Sequence, residues 1–324
     1  MIKVGILFGG KSAEHEISLM SAKNVFDAID KSRYDPVLIK IDKSGRWNFN
    51  DIFDYDVIFP ILHGPFGEDG TVQGLLKLAD IPFVGPGVLG SAVGMDKDVM
   101  KRLLRDAGVP IGKFLALKNS GKALSFKEIE AALGAPFFVK PANMGSSVGI
   151  NKVQDEAGLD FALKDAFLYD TKVIIEEFIP GREIECAVLG NENPEASLPG
   201  EIITSHEFYS YDAKYIDEKG AALIIPAKLD SGTIKRVQEI AVKVFQVLCC
   251  EGLSRVDFFL KEIPGKPYEI IVNEINTIPG FTRISMYPKM WEASGVSYTE
   301  LITRLIELAI SRFEKESKLK TSVV

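Results

Sequence analysis

Four polar residues set in apolar sequence constrain this chain most: Arg255 and Asp257, then Glu274 and Asn276. Residues two apart on a strand point to the same side, so the pairs demand two β-strands whose polar sides face one another across a hairpin. The neighbours Ile270, Ile271, Val272, Ile275 and Ile278 are apolar, and carboxylates are rarely set among such residues without a partner. A strand-pair salt bridge accounts for Arg255 with Asp257 alone, but leaves Glu274 and Asn276 unexplained. Carboxylate and amide oxygens arranged in this way suit Mg2+, which is commonly held by one or two carboxylates together with nucleotide phosphates. The pattern reads as the metal floor of a phosphoryl-transfer site.

With 324 residues the chain exceeds one ordinary core and implies two or three domains. Its 46% hydrophobic and 26% charged content is that of a globular protein. The net charge is −7 and no basic run occurs, so neither nucleic acid nor an anionic membrane is an expected partner. No apolar stretch approaches the roughly twenty residues of a membrane span. Residues 1–8 read as a buried strand, not as a signal peptide. Three cysteines, Cys186, Cys249 and Cys250, fit a disulfide-free cytoplasmic enzyme.

The first 95 residues alternate strand and helix signals, as a doubly wound parallel sheet does: strands at 3–8, 36–41, 56–62 and 82–84, helices at 18–29 and 72–78. A helix over 95–107, ended by Gly108 and Pro110, leads into a small α+β module with strands at 113–117, 137–140, 149–152 and 173–176 and helices at 126–133 and 156–167. A third module carries strands at 184–189, 201–203 and 223–225, a helix at 233–248, the ligand-bearing strands and a helix at 298–313. The division is 1–95, 96–182 and 183–324. Residues 205–220, with Tyr209, Tyr211 and Tyr215, read as a lid or Ω-loop, and 277–292 as an irregular loop beside the metal ligands.

Two glycine motifs match known patterns and are set aside. Gly5 to Ser12 satisfies the P-loop spacing, but Ile6, Leu7 and Phe8 are core strand residues whose N–H groups belong to a sheet. Gly85-Pro-Gly87-Val-Leu-Gly90 satisfies the dinucleotide fingerprint, yet it closes the first module instead of opening it. The loop Lys140-Pro-Ala-Asn-Met-Gly-Ser146-Ser147-Val-Gly149 is different, because it joins two predicted strands. Its N–H groups and hydroxyls can wrap phosphates while Lys140 supplies charge. A flexible hairpin is the plainer alternative; coupled to a distant metal cluster, the loop becomes a clamp.

Together with Lys97 in Met95-Asp-Lys97, the run Ile175-Glu-Glu-Phe-Ile179 with Glu183, and Arg255-Val-Asp257 with Asn273-Glu-Ile-Asn276, this loop resembles the ATP-grasp ligases. Further motifs resemble the D-alanine:D-alanine ligase family: Gly9-Gly10-x-Ser12-x-Glu14, Leu62-His63-Gly64, Gly67-Glu-Asp-Gly70, Tyr211-x-x-Lys214-Tyr215 and Pro279-Gly280-Phe-Thr. The resemblance spans nearly the whole chain, in order. It implies a mixed α/β and α+β fold: a three-domain ATP-grasp architecture with an N-terminal doubly wound parallel sheet.

It also implies site residues. ATP would lie between the central and C-terminal domains, with Lys97 and Lys140 on its phosphates under the clamp serines, Ser147 among them. Glu176, Glu177 and the Ile179 backbone would be at the adenine and Glu183 at the ribose; relatives often carry Lys where this chain has Glu177. Asp257, Glu274 and Asn276 would hold two Mg2+ ions, with Mn2+ as a substitute. Glu14, supported by His63, would take the ammonium of the first D-alanine. Ser146 and Tyr215 would bond toward Glu14 and close the Ω-loop, carrying Lys214 to the γ-phosphate. Arg255 and the Gly280 N–H would stabilise an oxyanion, and Ser285, with Met286 beside it, would seat the second D-alanine's carboxylate. A homodimer is expected by resemblance only. Taken singly, His63 and Glu14 have ordinary explanations, as a satisfied core histidine and a complement to a helix dipole.

The activity implied is ADP-forming ligation of two D-alanines through an acyl phosphate, for peptidoglycan precursor synthesis. A D-lactate or D-serine ligase is the nearest rival, and Lys214-Tyr215 favours D-alanine as acceptor. A nucleotide sensor without turnover would lack a metal ligand or Arg255, and this chain has both. A carboxylase-type ATP-grasp enzyme would need no ammonium anchor such as Glu14 with Tyr215.

Overall fold

From Val4 to Phe8 no polar side chain interrupts the sequence, the pattern of a strand covered on both faces. In the computed structural model, which describes residues 1–121, 124–204, 221–320 and 322, this run is the centre of a parallel sheet. Its order is β2 (Tyr34–Ile41), β1 (Ile2–Gly9), β3 (Val57–Ile61). α1 (His15–Ala28) and the closing helix Tyr298–Glu316 cover one face, and α2 (Thr71–Leu78) the other. The strand expected at 82–84 is reduced to one bridge between Ile58 and Phe83. β1 ends on Gly9 and Gly10, both at positive φ; a Cβ on Gly9 would lie 2.3 Å from the Ile41 carbonyl, so only glycine closes this strand end.

A helix without a counterpart in the sequence reading, α3 (Val88–Met95), precedes the one expected over 95–107, which is α4 (Lys97–Asp106). Asp96 is extended between them, and its carboxylate accepts the N–H groups of Asp98 and Val99 to start α4. Gly90 and Gly94 give α3 its close approach to the C-terminal region: Cβ atoms there would lie 2.5 Å from the Cys249 carbonyl and 2.6 Å from Thr277 Cγ2. Those glycines serve packing.

The central sheet is antiparallel, ordered β4 (Phe114–Lys118), β7 (Lys172–Glu177), β5 (Phe137–Pro141), β6 (Asn151–Val153). α5 (Phe126–Leu133), begun by a Ser125–Glu128 capping box, and α6 (Glu156–Ala166) share its core. In the third sheet β11 (Ala221–Ile224), β10 (Gly200–Thr204), β8 (Arg182–Gly190), β12 (Gly252–Lys261) and β13 (Glu269–Asn276) are neighbours in that order. A two-residue strand, β9 (Glu195–Ala196), which carries no sequence signal, pairs with β8. Val256, Phe258 and Leu260 alternate into a core with the helix Ser231–Val247, to which α4 adds Met100 and Leu104.

One expectation fails in this region. Residues 277–292 are not all irregular, because a helix spans Met286–Ala293. Pro288 signalled a loop, but in the first helical turn proline removes no intrahelical bond. The expected lid at 205–220, with Tyr209 and Tyr211, lies outside the described residues. Among the described residues no helix is long and apolar enough to cross a membrane.

Candidate active site

The hairpin demanded by the two polar pairs is present. β12 and β13 are antiparallel, with Arg255 opposite Asn276 and Asp257 opposite Glu274, and the register then shifts past Asn273 to pair Phe258 with Val272. That irregularity keeps the polar side chains on one side while Val272 and Ile275 remain in the core. Arg255 holds Asp257 through two bonds, Nε to Oδ1 at 2.7 Å and Nη2 to Oδ2 at 2.8 Å. Asn276 Nδ2 donates to Asp257 Oδ2 at 2.9 Å. On the other flank β8 sets Glu185 opposite Asp257, and Glu185 Oε2 lies 2.9 Å from Arg255 Nε. Burial works against the guanidinium, but Asp257 and Glu185 outweigh it and hold Arg255 charged. Glu183, two residues earlier, lies on the same side of β8.

Facing this wall is a set of buried cations. Lys97, the first residue of α4, donates to the Met144 carbonyl at 2.8 Å and lies 3.3 Å from Glu274 Oε2. Its own N–H donates to the Ala142 carbonyl, tying α4 to the clamp loop. Lys140, on β5, pairs with Glu176 Oε2 on β7 at 2.5 Å. Lys101, one turn beyond Lys97, reaches Glu176 Oε1 at 3.1 Å. Burial pushes the Glu176 carboxyl up, yet Lys101 and Lys140 together bring it below its ordinary value. Burial lowers Lys140, and Glu176 with Glu274 more than restores it. For Lys101 burial prevails and its ammonium is held below the usual lysine range.

The clamp loop joins β5 to β6, as expected, and places Ser146 and Ser147 at φ 51 and 61. Consecutive non-glycine residues in the left-handed region are uncommon and mark a constrained loop. Asp170 anchors its start, accepting from the Asn143 N–H and Nδ2. Gly145 touches the N-terminal sheet's side: a Cβ there would lie 3.7 Å from Glu14 Oε2. Glu14 is half-buried at the N-terminus of α1, between Gly145 and Gly64.

His63 follows β3 and is 4% exposed. Its Nδ1 lies 3.0 Å from the Ile278 carbonyl, so Nδ1 carries the proton. Burial holds the ring below its ordinary value, against the pull of Glu14, and a neutral ring then presents Nε2 as an acceptor. Nε2 is buried without a partner among the described residues. An acceptor beside a carboxylate suits an ammonium. Next to it a 470 Å³ cavity opens at the strand ends, lined by Gly10, Ser12, Trp47, His63 and Phe66.

Residues 277–285 are pinned to this side. Glu68 accepts the N–H of Gly64 at 2.6 Å and of Ile278 at 3.1 Å, and Tyr298 donates to the Phe281 carbonyl. Ser285 Oγ accepts the Thr282 N–H, and a Cβ on Gly280 would lie 3.2 Å from that oxygen. Ser285 is the N-cap of the helix that Met286 begins. The Met286 side chain, however, is buried in the core, where its Cε closes on Gly200, so only its backbone faces the loop.

The structure thus brings Lys97, Lys140, Glu176, Arg255, Asp257, Glu274 and Asn276 into one cleft. Glu14 and His63 interact at its N-terminal rim, where Gly145, next to Ser146, approaches Glu14, and Ile278, two residues before Gly280, is bonded to His63. Glu177 turns aside, accepting the Lys113 N–H at 2.7 Å, and the Ile179 side chain packs near Gly112. Lys214 and Tyr215 lie outside the described residues. Sequence reasoning missed Lys101, Glu185 and the part played by Glu68. The first reads as an ordinary helix lysine; Glu185 was within reach, since it follows Glu183 at strand spacing.

Two antiparallel sheets closing on a cleft with lysines on one side and a carboxylate–amide wall on the other define an ATP-grasp ligase. The family described as D-ala D-ala ligase C-terminus matches residues 103–307, and that described as D-ala D-ala ligase N-terminus matches 3–54 and 50–86. The D-alanine–D-alanine ligase of Oceanobacillus iheyensis is 52% identical over 99% of this chain and 98% of its own. The VanG D-Ala:D-Ser ligase from Enterococcus faecalis superposes with a TM-score of 0.85 at 39% identity, covering 95% of this chain and 99% of that one. The Bacillus anthracis D-alanine–D-alanine ligase complexed with ATP gives 0.82 at 30%, covering 98% and 100%. The chain belongs to the D-alanine:D-alanine ligase family.

Proposed function

We propose that this protein joins two D-alanines into D-alanyl-D-alanine, cleaving ATP to ADP and phosphate through a D-alanyl phosphate. The observation that carries the reading is the opposed charge in one cleft, lysines across from Asp257, Glu274 and Asn276, on a chain of this family. A carboxylate attacking ATP brings negative charge toward phosphate, so cations must meet the developing charge. Lys97 and Lys140 supply it from fixed elements, with the Ser146–Ser147 turn folding over the phosphates. Asp257, Glu274 and Asn276 offer hard oxygens on one side of one hairpin and fit Mg2+. Bound there, two such ions, or Mn2+, would neutralise phosphate charge.

Glu14 and the His63 Nε2 acceptor take the first D-alanine's ammonium, leaving its carboxylate free to attack the γ-phosphorus while ADP departs with the bond electrons. The second D-alanine, its amine deprotonated and its carboxylate toward Ser285 and the N-terminus of the Met286–Ala293 helix, attacks the acyl carbonyl. Arg255 and the Gly280 N–H meet the oxyanion, which collapses with loss of phosphate. Glu176, Glu177 and the Ile179 backbone border the adenine, and Glu183 the ribose. Tyr215 and Lys214 would complete the closed site and exclude water from the acyl phosphate. We further assign the protein to the cytoplasm, as a homodimer serving peptidoglycan precursor synthesis, with domains divided at 95/96 and 182/183.

The likeness to a D-Ala:D-Ser ligase supports a second reading, in which the acceptor is D-serine. Phosphate release from ATP and Mg2+ separates them. D-Alanine alone should support turnover and yield the dipeptide by mass. Release that requires added D-serine or D-lactate would move the assignment to that acceptor, and no amino-acid-dependent release would sink it.

A further inference from the structure

Lys140 presents a difficulty for any role on ATP, because its ammonium is already held by a carboxylate. Glu176 is buried, and Lys140 Nζ lies 2.5 Å from its Oε2. Moving that ammonium to a phosphate withdraws the counter-charge of a carboxylate that is largely shielded from water. Such a withdrawal would oppose nucleotide binding directly.

A second cation is in place. Lys101 is 2% exposed and sits 3.1 Å from the other oxygen, Glu176 Oε1. Its backbone is fixed, since Met100 and Leu104 are in the core and the Lys97 N–H is bonded to Ala142, and its own side chain is enclosed against Glu176. Glu176 is therefore served by one anchored lysine and by one on the strand that leads into the clamp loop.

We infer that Lys101 is a positioning residue for ATP: it keeps Glu176 charged and in place, so that Lys140 can turn to the phosphates without stranding a buried carboxylate. This rests on the assignment of Lys140 to the nucleotide. The response of the carboxyl to its neighbours agrees, since two lysines overcome the burial that would otherwise protonate it.

The test is a cycle of four proteins: wild type, Lys101→Met, Glu176→Gln and the double variant, each assayed for ATP KM, kcat and thermal midpoint. Lys101→Met should raise ATP KM about tenfold with kcat within about twofold. In the Glu176→Gln background the same change should alter ATP KM by less than about twofold, because no buried charge remains to be compensated. If Lys101→Met is recovered unfolded, Lys101→Gln carries the same expectation, since it keeps a donor and loses the charge. An unchanged ATP KM, or equal penalties in both backgrounds, overturns the inference and leaves Lys101 a packing residue. Its failure is distinguishable from failure of the parent reading, because a wild type that binds no ATP, or a Lys140→Met variant with unaltered ATP KM, would instead remove the nucleotide assignment.

Discussion

The two walls of the cleft are built from the same side-chain types in opposite proportion. Around Glu176 two lysines share one carboxylate, whereas around Arg255 one guanidinium holds Asp257 and Glu185 with Glu274 close by. The first arrangement has a cation in excess and suits an anion; the second has carboxylates in excess and suits a cation. Across both walls the contacting groups balance, four cations (Lys97, Lys101, Lys140, Arg255) against four carboxylates (Glu176, Glu185, Asp257, Glu274). An empty cleft can then stay folded without unpaired buried charge. ATP accompanied by two divalent cations is itself neutral, so it could enter and redistribute these pairs without changing the sum.

The contrast breaks most visibly on the carboxylate wall. Asp257→Asn keeps the shape and the bond from Asn276 but removes a metal-fitting charge and the carboxylate that Arg255 grips through two bonds. Turnover should fall by on the order of a thousandfold, and raising Mg2+ or Mn2+ should recover part of it, as read by phosphate release. Loss of fewer than ten-fold, with no change in metal dependence, would refute the metal floor. On the cation wall Lys140→Met should lower kcat/KM for ATP by about a hundredfold, the usual weight of one phosphate-directed donor. Its effect should be insensitive to Mg2+ concentration, which separates the two walls in one titration.

These walls were unequally legible in the sequence. Arg255, Asp257, Glu274 and Asn276 stand out because strand spacing fixes their side, and apolar neighbours make their polarity conspicuous. Glu185 obeys the same rule from Glu183, but only the β8–β12 register sets it opposite Asp257. Lys101 had no local signal at all. On α4, among Asp98, Arg102 and Arg105, it reads as one more surface charge, and its burial exists only because β7 presents Glu176 to that helix. The same distinction holds for the fold. Strands with long apolar runs and helices with clear caps were found. α3 was missed because its glycines make contacts across 159 and 183 residues of sequence, with Cys249 and Thr277, that no local period reveals. The Met286–Ala293 helix was missed because a first-turn proline resembles a loop proline.

Glu68 offers the finest comparison, since it is a buried carboxylate with no cation bonded to it among the described residues. It accepts two N–H groups instead, from Gly64 and Ile278, and burial together with the Glu14 carboxylate pushes its carboxyl up to about 8. A raised folded-state value means that its stabilising contribution is complete below the ordinary carboxylate range and is lost as pH rises through about 8. His63, held low by burial, gives the opposite slope only below its ordinary value near 6.5, so above about 6.5 it no longer opposes Glu68. There the wild type should lose thermal stability by a few degrees relative to Glu68→Gln, whose amide does not titrate. Saturating D-alanine should reduce the wild-type slope, because an ammonium beside Glu14 cancels the repulsion that Glu14 exerts on Glu68, while burial, the larger cause, keeps part of it. A slope that persists unchanged with D-alanine bound would place the first substrate's ammonium elsewhere than at Glu14, and would separate the N-terminal rim from the reaction assigned to it.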